Sequence, residues 1–155
     1  RVEKLDVVPE LERAIAQVFP PAVPTEIKVH RKYADYFPPL LMQRNHLAEI
    51  FANLLSNARD ALGKSGNIFI RSSCRPDYTV EISIRDDGPG IPPDKINRIF
   101  EAYYTTKVKG SGLGLAIARH NAELYGGDVR VKSEVGKGAE FILTFPAKAI
   151  VNIRK

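Results

Sequence analysis

The stretch Asp86-Asp87-Gly88-Pro89-Gly90-Ile91 stands at the end of an expected strand and is the first whose residue types point to chemistry. Glycines at alternate positions let a backbone turn tightly and approach a flat ligand, and a carboxylate at a strand's end accepts hydrogen bonds from an exocyclic amine. That combination suits adenine, although Asp-Gly alone also reads as a plain turn. Gly110-Ser111-Gly112-Leu113-Gly114-Leu115 is a glycine-rich loop running straight into a helix, so free amides and the positive end of the helix dipole face outward together. Such a loop can cradle phosphate; a glycine-rich hinge is the alternative. Asn53 and Asn57 lie one helical turn apart, and an amide oxygen is a suitable hard ligand for Mg²⁺, with a solvated helix face as the competing reading. Thr105-Thr106-Lys107 adds hydroxyls and a cation just before the glycine loop, or forms an exposed polar loop.

Other groupings carry no chemistry. The glycine loop is not a dinucleotide fingerprint, because no acidic residue follows at the end of a second parallel strand. Gly63-Lys64-Ser65 imitates the end of a phosphate-binding P-loop, but the motif needs a glycine where Ala58 stands, and it follows a helix. His30, His46 and His120 have no metal-ligand spacing, and no Ser/His/Asp arrangement is recognisable.

The elements that must position these residues follow from periodicity. A helix is expected over 9–19, with Leu11, Ile15, Val18 and Phe19 at helical spacing, and then a strand through Ile27, Val29 and Arg31. The longest helical pattern runs from about Leu41 to Leu62. Leu47, Ile50, Phe51, Leu54, Leu55, Ala58 and Leu62 fall within an arc of about 140°, and Asn53, Asn57 and Asp60 within a flanking arc of about 60°. Gly63 stops that helix; Asn67–Cys74 and Thr79–Arg85 form a hairpin, and a short helix follows around Asp94–Tyr104. Thr105–Gly112 shows no periodicity and is the expected mobile loop. Leu113–Tyr125 is helical, with Leu113, Ile117, His120 and Leu124 on one side, and strands Asp128–Ser133 and Ala139–Phe145 close the pattern.

Composition bounds the function class. The chain has 155 residues, 44% apolar and 26% charged, with 23 basic against 18 acidic residues for a net charge of +5. That is an ordinary globular composition for one domain, not a disordered, collagen-like or mucin-like chain. No apolar stretch approaches the ~20 residues that cross a bilayer, and the first residues lack a signal peptide's apolar run. Cys74 is the single cysteine, so neither an internal disulfide nor a cysteine-based zinc site can form, which favours a reducing compartment. No groove-reading helix or aromatic sheet pattern supports nucleic-acid binding.

Taken in order, the motifs resemble the ATP-binding catalytic domain of sensor histidine kinases, in the wider family that includes gyrase, Hsp90 and MutL ATPases. Asn53-Leu54-Leu55-Ser56-Asn57-Ala58 matches that family's N box, Asp86-Asp87-Gly88-Pro89-Gly90 its first glycine box and Ile99-Phe100-Glu101-Ala102-Tyr103-Tyr104-Thr105-Thr106-Lys107 its F box. Gly110 to Leu115 matches the second glycine box, and Gly136-Lys137-Gly138 looks like the third. The short interval between Lys107 and Gly110 is most similar to the nitrogen-regulation and dicarboxylate-sensing kinases.

The resemblance implies an α+β fold: a two-layer sandwich whose mixed, mostly antiparallel sheet carries helices on one face, the Bergerat-type fold. It implies that Asp86 binds the adenine amino group, with Gly88 and Gly90 shaping the pocket and Ile91 and Tyr104 packing near the nucleotide. Asn57 would hold Mg²⁺ and Asn53 sit close to the phosphates, while Thr105, Thr106, Lys107, Gly110, Ser111, Gly112, Leu113, Gly114 and Leu115 would meet phosphate. ATP and Mg²⁺ are then the implied cofactors and ADP the product, with Asn53 and Lys107 in the catalytic roles. The ATPases of the family place a Glu where Asn53 stands; a carboxylate can act as general base toward water and an amide cannot. Asn53 thus favours phosphoryl transfer over hydrolysis. Departures from the pattern are Tyr103 for the commoner Phe, Ala139 after the third glycine box, and Asp60 for a Lys of other subfamilies, which leaves more phosphate charge to Lys107, Arg59 or Arg98.

Kinases of this kind are phosphorylated on a His followed by an acid in a helical hairpin, whereas the three histidines here precede Arg31, Leu47 and Asn121. The expectation is therefore a catalytic domain over 9–148, with 1–8 as the link from an absent hairpin and 149–155 as a tail. Its implied partners are that phosphoacceptor hairpin and, indirectly, a response regulator. The resemblance also implies a cytoplasmic domain that is monomeric alone, homodimeric in the full-length kinase and attached to a membrane only through other segments. Competing functions are an anti-sigma-type serine kinase and a nucleotide-binding module without transfer.

Overall fold

The computed structural model describes residues 1–36, 38–104 and 112–146. In chain order the elements are β1 (Val2–Leu5), α1 (Val7–Val18), β2 (Glu26–Lys32), β3 (Leu40–Gln43), α2 (Arg44–Leu62), β4 (Ser65–Cys74), β5 (Val80–Asp86), α3 (Pro93–Ile96), α4 (Gly114–Glu123), β6 (Asp128–Ser133) and β7 (Ala139–Phe145). Five strands form one sheet in the order β2-β4-β5-β7-β6, in which only β2 and β4 run parallel. β1 and β3 pair antiparallel in a separate two-stranded sheet. This is an α+β sandwich with a mixed, mostly antiparallel sheet and its helices packed on one face.

Strand alternation decides which face that is. Ile68 and Ile70 on β4, Val80, Ile82 and Ile84 on β5, and Phe141, Leu143 and Phe145 on β7 are buried toward the helices. α2 answers with Leu47, Ile50, Phe51, Leu54, Leu55 and Ala58, all at most 1% exposed. Gly63 ends α2 at φ 74°, where its amide caps the Arg59 carbonyl at 3.0 Å.

Four local readings differ from the expectation. No strand was expected before residue 9 or at 40–43, and Leu41–Gln43 read as the first turn of the long helix. Leu40-Leu41-Met42 is a short apolar run that periodicity cannot assign, and the pairing of Leu5 with Leu40 makes it a strand. The helix expected over 94–104 is α-helical only at Pro93–Ile96; beyond it the backbone proceeds in three-residue turns, Arg98 N to Lys95 O at 2.9 Å and Glu101 N to Arg98 O at 3.0 Å. α4 buries Ala118, Asn121 and Ala122, while His120 and Leu124 are exposed. Small alanines let α4 lie close on α2, and Asn121 donates to Glu49 Oε1 across that seam at 2.9 Å.

Candidate nucleotide site

β5 separates two adjacent acids by its alternation. Asp86 ends the strand on the inward side and is 1% exposed; Asp87 faces outward, where the Asn67 amide and side-chain nitrogen donate to its two oxygens at 2.8 and 3.0 Å. Burial pushes the Asp86 carboxyl above its ordinary value, against the hydrogen bonds donated by the Gly88 and Ala139 amides. Asn67 instead holds the Asp87 carboxyl below the usual range. One of the two acids is therefore built into the fold's interior and the other is locked on its surface.

Two glycines place α2 against the rest of the site. A Cβ on Gly88 would lie 2.9 Å from Asp86 Oδ1 and 3.2 Å from the Ala61 carbonyl, so the turn after β5 rests on the end of α2. A Cβ on Gly114 would lie 3.3 Å from Asn53 Oδ1, so the first turn of α4 sits beside Asn53. Between Asn53 and Ala61 the α2 axis advances about 12 Å at 1.5 Å per residue. The half-buried Asn57 lies on that stretch, on the arc it shares with Asn53. Asp86, Gly88, Asn53, Asn57 and Gly114 are thus gathered along one side of one helix.

Gly90, at φ 80°, lies where any Cβ would overlap the Glu134 carbonyl, and the Gly136 amide donates to Pro89 O at 2.8 Å. Ile91 is half-buried and packs on the core. Tyr104 is half-buried beneath the Arg98 guanidinium, 4.4 Å from its ring centre. Tyr103 N, within the F box, donates to Gly112 O at 2.8 Å, which sets Gly112 of the second glycine box beside it. Leu113 precedes α4, Gly114 opens it, and Leu115 is half-buried against the core. Thr105, Thr106, Lys107, Gly110 and Ser111 lie outside the described residues.

Two expected sources of extra phosphate charge, Arg59 and Arg98, have partners within the chain. Arg59 donates to the Val18 carbonyl at 3.3 Å and pairs with Asp60 at 3.6 Å, which turns it toward α1. Arg98 is held on Tyr104 and Glu101. Among the described residues no group of three or more His, Cys, Asp or Glu is placed to hold a metal ion. A cation here would rest on amide oxygens and on the ligand's own phosphates, the shared coordination that suits Mg²⁺. Sequence reasoning passed over Ser133, whose hydroxyl bonds both Ile91 N and Gly138 O. The signal available was Pro92-Pro93, which leaves Ile91 as the last backbone donor before Asp94.

A buried acid at a strand's end, a glycine turn laid on a long helix and a second glycine-led helix beside its asparagine define a class: the ATP-binding fold shared by histidine kinases and related ATPases. Residues 42–149 match the family described as histidine kinase-, DNA gyrase B-, and HSP90-like ATPase, and the chain belongs to it. It is 36% identical over 124 residues to sporulation kinase E of Bacillus subtilis (strain 168), covering 80% of this chain and 17% of that protein. It is 37% identical to sensor histidine kinase ZraS of Escherichia coli (strain K12), covering 78% of this chain and 26% of that one. With sensory histidine kinase/phosphatase NtrB of Rhizobium meliloti (strain 1021) the identity is 33%, over 70% of this chain and 32% of that protein. The chain therefore spans a third or less of each of these relatives. Among solved structures, full-length ShkA in complex with AMPPNP superposes with a TM-score of 0.81 at 31% identity, covering 94% of this chain and 31% of that one. The catalytic domain of histidine kinase ThkA gives 0.83 at 25% identity, over 94% and 95% of the two chains.

Proposed function

We propose that this domain binds Mg²⁺-ATP and transfers the γ-phosphoryl group to a histidine on the phosphoacceptor hairpin of a sensor histidine kinase, in two-component signalling through a response regulator. The observation that carries the reading is the buried Asp86 carboxylate beside Gly88, on the side of α2 that bears Asn53 and Asn57. In this reading Asp86 accepts the hydrogen bond of the adenine amine, Gly88 and Gly90 leave room for the base, and Ile91 and Tyr104 pack near it. Asn57 offers its amide oxygen to Mg²⁺, which when bound would offset charge gathering on the phosphoryl oxygens. Asn53 lies beside Gly114 at the start of α4, where free amides favour phosphate. Having no general base at Asn53 to activate water, the site suits transfer to a positioned acceptor, where orientation supplies most of the rate. Thr105, Thr106, Lys107, Gly110 and Ser111 would complete the phosphate contacts, with ADP leaving as product.

The test is to mix the chain with its separately expressed phosphoacceptor hairpin and γ-labelled ATP. Label on the hairpin that is lost in acid supports histidine transfer. Acid-stable label would make the domain a serine kinase, and nucleotide binding with no labelled hairpin would make it a binding module.

A further inference from the structure

β6 alternates like its neighbours: Val129 is buried, Val131 packs on the core, and Ser133 continues that inward row to the strand's end. The Ser133 hydroxyl accepts from Ile91 N at 2.8 Å and donates its single proton to Gly138 O at 2.8 Å. Pro92 and Pro93 have no amide hydrogen, so the Ile91 N–H is the last backbone donor between Gly90 and Asp94. The other end of the same segment is held by the same turn. Gly138, at φ 85°, lies so close to the Asp86 carbonyl that any side chain would overlap it, and the Ala139 amide donates to the Asp86 carboxylate. The β6–β7 turn therefore grips the 86–91 segment at both ends, and among the described residues Ser133 is the side chain that both accepts from the segment and donates to the turn.

We propose that Ser133 is a positioning residue for nucleotide binding: through Ile91 and Gly138 it fixes the backbone that forms the base pocket, without touching the nucleotide. This rests on the nucleotide reading above. The hydroxyl's contribution is isolated by comparing Ser133→Thr with Ser133→Val, which have the same shape and differ in the hydroxyl alone.

Calorimetric titration of ADP and ATP into wild type and both variants, with thermal unfolding recorded for each, provides the test. The expected result is an ADP Kd close to wild type in S133T and about tenfold weaker in S133V, from the loss of two hydrogen bonds. The ratio of ADP to ATP affinity stays constant across the three, because the effect lies at the base and not at the phosphates. The Ile91 amide also exchanges faster with solvent in S133V, which reads the same loosening without ligand. S133V binding ADP within twofold of wild type, or S133T failing to differ from S133V, would overturn the proposal. A wild-type chain that binds no nucleotide would instead overturn the nucleotide reading, and the positioning role with it.

Discussion

Asp86 and Asp87 carry the same side chain, and the direction each faces sets its chemistry. Burial raises the Asp86 carboxyl above the ordinary 3.8, while Asn67 lowers that of Asp87. With its folded-state pKa raised, Asp86 makes a contribution to stability that is complete below its unfolded value and lost as pH rises through the folded one. Asp87 is the reverse case, its contribution present above the unfolded value and lost as pH falls through the depressed folded one. Nucleotide affinity should follow Asp86, because the ionised oxygen is the acceptor. ADP affinity measured across a pH series is expected to fall by about tenfold per pH unit below the raised Asp86 value. Asp87→Asn should keep that dependence and Asp86→Asn remove it; a dependence that vanished in the Asp87 variant would give the site to the wrong acid.

The turn between β6 and β7 offers a contrast at the scale of an element. Gly136 and Gly138 have φ of 86° and 85°, yet nothing lies within 4 Å of a Cβ on Gly136, whereas one on Gly138 would overlap the Asp86 carbonyl. Gly136→Ala should cost about 1–2 kcal/mol, the price of a left-handed alanine alone. Gly138→Ala adds a clash with backbone and should cost at least about 1 kcal/mol more, read as the difference between their urea midpoints. Equal losses would show that the turn does not press on the site. Such contacts explain what was legible in the sequence. The long helix, the asparagines on its flanking arc and the glycine runs are local signals, and residues 44–62 carry enough turns to fix their own face. The face of α4 was misread because Ala118 and Ala122 pack by being small, and a search for large apolar side chains selects Leu124 instead. For Ser133 the sequence offers only the indirect signal of Pro92-Pro93, because Ile91, one of its two partners, lies 42 residues away and meets it only in the folded chain.

Over the whole molecule one apolar core joins both sheets, with Leu5, Leu40 and Met42 in the same cluster as Phe51 and Phe141. The small β1–β3 sheet should then melt with the rest. Leu5→Ala is expected to destabilise the single unfolding transition by about 2–5 kcal/mol, and calorimetry resolving a separate early transition would detach that sheet from the folding unit. No helix among the described residues is long and apolar enough to cross a membrane. Of the basic residues behind the charge of +5, Lys107 is the one expected to meet phosphate, and most of the 23 lie elsewhere in the chain. What the fold does with its core is to hold a buried acid, a glycine turn and a helix of asparagines in one register. The measurement that bears most directly on that claim is calorimetric titration of Mg²⁺-ATP into wild type and Asp86→Asn, both shown to be folded. One molecule of ATP bound by wild type, and a loss of about 1–3 kcal/mol in the variant, is the predicted result; equal affinity in the two would contradict it.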